Sequence, residues 1–275
     1  MLTDSQLKDI EELQGVCEAK DQIQLKLNWE MLHNRDKEER NDFLHYEDGE
    51  LVAFLGLYGF GNKAELCGMV RPEFRRKGVF TKLFKKAIEE IRERNYSNVL
   101  LNAPADSQSA KGFLETIPCD YSISEYQMKW SETDLAVDES VKLRHSTPDD
   151  LEAEIQLDVR CFGFDVEGAD GFNNRIKHEP SQKRYMIESE GKTVGKIRIS
   201  NLNEEAWIYG FAIFPEFQGK GIGRKVLKKI IIEEHRNGYP VFLEVEAKNA
   251  HALGLYESCG FKTFHTQDYY QYKLL

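Results

Sequence analysis

Phe211-Ala212-Ile213-Phe214-Pro215-Glu216-Phe217-Gln218-Gly219-Lys220-Gly221-Ile222-Gly223-Arg224 is the stretch on which the reading of this chain turns. An apolar run ends at a proline, which has no N–H to give a sheet ladder. Three glycines at alternate positions then let the backbone turn tightly and approach a ligand without interference from Cβ atoms. Val226, Leu227, Ile230 and Ile231 follow at helical period, and Asn237-Gly238 stops them. The stretch therefore reads as strand, glycine-rich loop and helix. The start of such a helix presents unpaired N–H groups and the positive end of a dipole, which suits a pyrophosphate, and Lys220 and Arg224 add charge beside it. Neither GxGxxG nor GK[ST] occurs here, so this is not the fingerprint of a dinucleotide fold or of a magnesium-nucleotide loop.

The loop has an echo upstream. Val70-Arg-Pro-Glu-Phe-Arg-Arg-Lys-Gly-Val79 parallels Ile213-Phe-Pro-Glu-Phe-Gln-Gly-Lys-Gly-Ile222 at an offset of 143. Ala110-Lys-Gly-Phe-Leu-Glu115 parallels Ala252-Leu-Gly-Leu-Tyr-Glu257 at 142, and Tyr126-Gln-Met-Lys129 parallels Tyr270-Gln-Tyr-Lys273 at 144. Three matches in one order at a near-constant offset mark two copies of one domain. The polar acidic stretch Ser131–Ser140 separates them, which divides the chain into residues 1–136 and 137–275. A chain of 275 residues accommodates two such domains.

Both copies follow one grammar. In the second, Val141–Arg144 reads as a strand and Ser146-Thr147-Pro148-Asp149-Asp150 as a helix start. Arg184–Glu188, Thr193–Ser200 and Ala206–Phe214 read as strands before the loop. Val241–Glu246 is a further strand, Ala250–Ser258 a helix, and Phe261–Leu274 a pair of terminal strands. In the first copy, Leu51–Tyr58 and Glu65–Val70 are strands, and the helix after Gly78 carries Phe80, Leu83, Phe84, Ala87, Ile88 and Ile91. The expected fold class is α/β (α+β): two domains, each with a mixed, mostly antiparallel sheet flanked by helices.

Charge separates the copies. The formal net charge is −10, which disfavours nucleic acid as a partner. Residues 1–140 carry 18 Lys+Arg against 27 Asp+Glu, whereas residues 141–275 carry 19 against 20. The nearly neutral half is the one that keeps the glycine loop. Five widely spaced cysteines without a CxxC pair indicate neither a disulfide framework nor a zinc site, so no metal is expected. No apolar run reaches a membrane span, and the first residues are polar and acidic where a signal peptide would be basic and then apolar. A cytoplasmic protein, monomer or homodimer, is expected.

Gln-x-x-Gly-x-Gly after a strand-ending proline closely resembles the acyl-CoA loop of the GNAT superfamily of N-acetyltransferases. Leu243-Glu244-Val245-Glu246-Ala247-Lys248-Asn249-Ala250-His251-Ala252-Leu253-Gly254-Leu255-Tyr256-Glu257-Ser258-Cys259-Gly260-Phe261 is similar to the second signature of that superfamily. The resemblance implies acetyl-CoA as acyl donor. It implies that its pyrophosphate lies on Gln218, Gly219, Lys220, Gly221, Ile222, Gly223 and Arg224. Its pantetheine would lie along Phe211, Ala212 and Ile213, with Asn249 touching the cofactor and Tyr256 beside the thioester sulfur.

Acyl transfer to an amine demands particular groups. An alkylamine of pKa near 10.4 is almost wholly protonated at neutral pH, so a proton must leave before attack. The departing thiolate needs a proton, a task for Tyr256. The thioester oxygen needs a donor, which the resemblance puts on a backbone N–H near Ala212 or Ile213. Alternation puts Phe242, Glu244 and Glu246 on one strand face. Glu244, in a Leu-Glu-Val setting similar to that of the ribosomal-protein N-terminal acetyltransferases, is the candidate base. Glu205, Glu246 and a water chain are its rivals, and His251 is expected on the helix exterior. The stretch Cys161–Glu179, read as a loop carrying Phe162, Phe164, Asp165, Asp170 and Phe172, occupies the place of the acceptor pocket in the resembled family.

The first copy departs from this pattern. Arg75, Arg76 and Phe80 replace Gln218, Gly219 and Gly223, while Leu114 replaces Tyr256 and Ser107 replaces Asn249. Residues 1–136 are therefore expected to form a degenerate domain without catalysis, and 137–275 the catalytic one. The expected activity is acetyl transfer from acetyl-CoA to a primary amine of a small molecule by direct attack in a ternary complex. A peptide N-terminal acetyltransferase and a non-catalytic CoA-binding regulatory protein are the alternatives.

Overall fold

A computed structural model describes residues 2–35, 39–136, 138–179 and 182–274. The expected boundary at 136/137 opens on Val137, which lies outside the described residues, as does the final residue, Leu275. The chain forms two compact units: unit 1 comprises Met1–Ser124 and Thr266–Leu275, and unit 2 comprises Glu125–His265.

Unit 1 begins with α1 (Asp4–Asp21), α2 (Trp29–His33), β1 (Asp42–Glu47), β2 (Glu50–Phe60) and β3 (Lys63–Val70). The helix α3 (Val79–Glu93), β4 (Asn98–Pro104), α4 (Gln108–Leu114) and the start of β5 (Cys119–Trp130) follow. Pairing runs β1-β2-β3-β4, and residues 267–271 of the terminal strand β11 (Phe261–Tyr272) lie antiparallel to β4. β3 and β4 run parallel, whereas β1–β2, β2–β3 and β4–β11 are antiparallel. β2 is buried on both faces because helices cover each side. Ala53, Leu55 and Leu57 meet Leu83, Phe84, Ala87 and Ile91 of α3, while Phe54 and Tyr58 meet Ile10, Leu13 and Cys17 of α1. Burying each such large side chain contributes roughly 1.5–3 kcal/mol. A reciprocal capping box between Thr3 and Gln6 starts α1.

Unit 2 contains β6 (Val141–His145), α5 (Leu151–Phe162), α6 (Val166–Ile176), β7 (Gln182–Ser189) and β8 (Lys192–Leu202). β9 (Glu205–Ile213), α7 (Ile222–Arg236), β10 (Val241–Glu246) and α8 (Ala250–Glu257) complete its sequence. Its sheet runs β6-β7-β8-β9-β10, closed by residues 125–129 of β5 antiparallel to β10. The last strand of each repeat thus completes the sheet of the other unit. Val226, Leu227, Ile230 and Ile231 of α7 are fully buried against Ile197, Ile199, Ile208 and Leu243. The mixed, mostly antiparallel sheets flanked by helices are the expected fold class.

Two local expectations are corrected. Cys161–Glu179 is not a loop, because it contains the helix α6. Asp165 caps α6 by accepting from the Gly168 N–H at 2.6 Å, and Ala169, Asn173 and Ile176 are buried beneath it. Two glycines and two asparagines hide that helix from propensity, and tertiary burial supplies it. Likewise Phe261–Tyr272 is one continuous strand rather than a pair.

Candidate active site

The cradle is built by backbone conformation. β9 ends at Ile213, a short 3₁₀ turn spans Pro215–Phe217, and the chain passes through Gly219 at φ 73° and Gly221 at φ 76° into α7. Both values lie in the left-handed region that costs other residues roughly 1–2 kcal/mol. A Cβ at either position would meet nothing within 4 Å, so the loop faces open space. Gly223 also has a packing role: a Cβ there would lie 3.3 Å from Leu255 and 3.5 Å from the ring of Phe211. Gln218 turns inward, its Nε2 donating to the Ile213 carbonyl at 2.8 Å, and the Cys161 thiol donates to the same oxygen at 3.4 Å. These contacts close the base of the loop, which leads into the positive end of a 15-residue helix. Ile222 is buried at the first turn, whereas Lys220 and Arg224 are exposed. Glu216 is occupied by Arg160 at 2.7 Å.

The β9–β10 pairing ends beside the cradle. β9 and β10 pair in parallel over 206–208 with 241–243, although both strands continue, to Ile213 and Glu246. On its other edge β9 carries a bulge: Lys196 faces Ala212 and Arg198 faces Tyr209, with Gly210 at φ 54°. A bulge interrupts the ladder locally. This one falls just before Ala212, the neighbourhood expected to supply the thioester oxygen's donor.

Tyr256 and Glu244 stand on opposite faces of β10. Tyr256 projects from α8 into the core that holds Leu243 and Val245, and burial pushes its hydroxyl pKa up to about 12, so it stays protonated through the neutral range. Asn249 caps α8, its Oδ1 accepting from the Ala252 N–H at 3.1 Å. Glu244 lies with Phe242 and Glu246 on the other face, as alternation requires, opposite Gln127, whose Nε2 donates to it at 2.9 Å. Its rivals have other work: Glu205 accepts from the Trp207 indole at 2.7 Å, and Glu246 pairs with Lys248 at 3.1 Å. His251 is exposed on α8.

The sequence reading missed an aromatic row on the Glu244 face. Trp207 stacks on Phe242 at 4.9 Å and on Tyr209 at 6.2 Å, and Phe264 meets Phe242 edge-on at 5.7 Å. Alternation within 205–211 carried the signal, but only the parallel register sets Trp207 opposite Phe242. Nearby, the Lys196 ammonium lies 2.7 Å from the Asp158 carboxylate, both nearly inaccessible, and Asn173 of α6 donates to the same carboxylate at 2.6 Å. This network ties α5 and α6 to the strand beside the bulge.

Unit 1 repeats the cradle with different side chains. Gly78 has φ 77° and Arg76 φ 62°, Pro72–Phe74 forms the same turn, and the Arg75 Nε donates to the Val70 carbonyl at 2.9 Å, as Gln218 does to Ile213. Cys17 donates to Val70 as Cys161 does to Ile213. Ser107 caps α4 as Asn249 caps α8. Degeneracy in sequence has left the loop's backbone intact.

Residues 7–116 and 151–261 both match the model of the Acetyltransferase (GNAT) family. The chain belongs to that family, in tandem form. The [ribosomal protein bS18]-alanine N-acetyltransferase of Salmonella typhimurium strain LT2 is 32% identical over 116 residues, covering 41% of this chain and 74% of the relative. The spermidine N(1)-acetyltransferase of Escherichia coli K12 is 30% identical over 136 residues, covering 44% of this chain and 73% of the relative. Among solved structures, a GCN5-related N-acetyltransferase from Sphaerobacter thermophilus superposes with a TM-score of 0.79 at 20% identity, over 98% of this chain and 93% of that one. A tandem GNAT protein from the clavulanic acid biosynthesis pathway gives 0.71 at 14%, over 98% and 94%. As a GNAT protein the chain is an acyltransferase, of a family that uses acetyl-CoA and an amine acceptor. No described helix is long and apolar enough to cross a membrane.

Proposed function

We propose that the second repeat, residues 137–275, transfers the acetyl group of acetyl-CoA to a primary amine of a small molecule, and that the first repeat has no part in the chemistry. The observation that carries this reading is the meeting, in unit 2, of a left-handed two-glycine cradle with the end of the β9–β10 pairing, Tyr256 on one side and Glu244 on the other. In the proposed reaction the pyrophosphate rests on the loop and helix start at 218–224 and the pantetheine follows Phe211–Ile213. Glu244, directly or through water, takes a proton from the ammonium. The freed nitrogen lone pair attacks the thioester carbon, a C–N bond forms and the C–S bond breaks. Tyr256 gives its proton to the departing thiolate and regains one from solvent. Both substrates are present together, and no side chain becomes acylated.

The Glu244 carboxylate favours a cationic acceptor, because it attracts ammonium groups; of the rings beside it, Tyr209 and Phe242 already carry Arg198 at 5.3 Å and Lys129 at 5.2 Å. Polyamines, amino sugars and lysine-like amines fit that description. The Leu243-Glu244-Val245 setting, together with the likeness to a ribosomal-protein alanine acetyltransferase, makes a peptide N-terminus the second acceptor to try. The test is thiol release from acetyl-CoA over a panel of both kinds of amine, for the wild-type chain and Tyr256→Phe. Turnover on one class, reduced about a hundredfold or more by the substitution, is expected. Acetyl-CoA binding with no turnover on any amine would instead identify a regulatory protein.

A further inference from the structure

We infer that the lysine stripe on α3 of unit 1, formed by Lys82, Lys85 and Lys86, docks a segment of another protein that carries adjacent carboxylates. The stripe belongs to a concentration of positive charge in an acidic half of the chain. Residues 71–86 hold seven Lys and Arg against the single acid Glu73, whereas residues 1–140 as a whole hold 18 against 27. Arg71 and Arg75 are taken up by Glu50 at 2.6 Å and Asp21 at 2.8 Å. Lys82, Lys85 and Lys86 are exposed, and among the described residues no carboxylate pairs with them. Lys82 lies three residues before Lys85 and four before Lys86, and like charges at those spacings destabilise a helix.

The second repeat shows what fills such a stripe. At the offset of 143, Lys82 and Lys86 correspond to Lys225 and Lys229 of α7. There the non-helical segment ahead of β6 lies on the helix. Asp138 meets the Lys225 ammonium at 2.9 Å, Glu139 meets that of Lys229 at 2.7 Å, and Lys225 also donates to the Ser140 hydroxyl at 2.8 Å. Two consecutive acids thus neutralise two lysines that are about 6 Å apart along the helix axis. Unit 1 does not repeat this arrangement: ahead of β1, Glu39 goes to Arg94, past the other end of α3, at 2.9 Å. The same lysine pair is therefore covered by acids in one repeat and open in the other.

The charge around the stripe selects a short acidic peptide over a long polyanion. Glu89, Glu90 and Glu93 occupy the later turns of α3, which confines the positive surface to its first two turns, and the chain's net charge of −10 repels an extended phosphate backbone.

Fluorescence anisotropy of the full chain with a labelled peptide Ser-Glu-Thr-Asp-Leu-Ala-Val-Asp-Glu-Ser, the sequence of residues 131–140, tests the inference at low salt. The chain's own copy of that segment stays on α7 through its high effective concentration, so the added peptide reads α3. Saturable binding is expected, weakened several-fold by 0.3 M salt because the pairs are exposed. Lys82→Glu with Lys86→Glu should weaken it at least about tenfold. Lys142→Glu with Lys192→Glu, which makes the same change in net charge at exposed positions of unit 2, should leave it within about twofold. Both double variants should melt within about 2 °C of the wild type, because the altered side chains lie in solvent. A larger fall passes the decision to Lys82→Gln with Lys86→Gln, which removes charge without adding repulsion and should weaken binding about threefold. Absence of saturable binding, equal loss in the two reversed pairs, unchanged binding in the glutamine pair, or equal affinity for the peptide with its four acids as amides would each overturn the inference. So would tighter binding of a DNA pentanucleotide with four phosphates, which would make the stripe a phosphate-backbone surface instead.

Discussion

The two ends of one helix provide a controlled experiment on the cradle. Gly221 precedes α7 at φ 76° and Gly238 follows it at φ 86°, and a Cβ on either would meet nothing within 4 Å. Alanine at each position therefore incurs the left-handed cost of roughly 1–2 kcal/mol with no clash to distinguish them. For compact units of this size each kilocalorie lowers the melting temperature by roughly 2–4 °C, so the two variants should melt several degrees below wild type and close to one another. They should differ in function. The methyl group of Gly221→Ala projects into the space where the loop amides would meet pyrophosphate, so the KM for acetyl-CoA should rise about tenfold or more, equivalent to about 1.4 kcal/mol of binding. Gly238→Ala, at the far end of the helix, should leave KM unchanged. Calorimetry for stability and initial-rate kinetics at varied acetyl-CoA read the two effects separately. Equal shifts in KM for both variants, or none for Gly221→Ala, would refute the assignment of the loop as a pyrophosphate cradle.

Three further outcomes are expected. In Glu244→Gln the acidic limb of the kcat/KM pH profile should disappear if the carboxylate is the base, and an unaltered limb would pass that role to water. Tyr256 is protonated in both folded and unfolded chains below pH 10, but between pH 10 and its raised value of about 12 only the unfolded chain loses that proton. Alkaline unfolding should therefore draw away about 2–3 kcal/mol that Tyr256→Phe does not lose, measurable as a smaller fall in stability between pH 9 and 12 in the variant. Lys196→Met strands the buried Asp158 carboxylate and should lower the stability of unit 2 by about 3–5 kcal/mol in urea titrations, with much of the loss recovered by adding Asp158→Leu.

What could be read from the sequence was what local chemistry dictates. A proline, two glycines and a 3.6-residue stripe identify strand, loop and helix because each acts within a few residues of itself. Alternation likewise set Glu244 beside Phe242. The rest depends on partners distant in the chain. Gln218, expected as a ligand contact, also closes the loop on Ile213 through its side-chain amide. Gly223, expected in the cradle, also makes room for Phe211 and Leu255 by its lack of a side chain. The helix α6 has weak propensity and exists through Asn173, which reaches a carboxylate fifteen residues back. Nor could the third repeat match reveal that its two strands complete the opposite units, because strand pairing leaves the same alternation whichever sheet receives it.

The substitutions in the first repeat fall into two physical classes, and the division argues against simple decay. Those at Arg76 and Phe80 alter side chains while preserving backbone: Arg76 keeps a positive φ that arginine adopts at a cost, and Phe80 is matched by the absence at Gly68 of the ring that Phe211 carries. Those at Asn102 and Leu114, in the places of Glu244 and Tyr256, leave the same backbone but remove the carboxylate and the hydroxyl. Drift would have been free to straighten the loop and pair the Asn102 Oδ1, since a strained arginine and an unpaired buried acceptor both destabilise the unit. The measurement that checks this is stability: Arg76→Gly and Asn102→Leu should each raise the melting temperature of the chain, and a fall in either variant would refute the reading of both positions as strained.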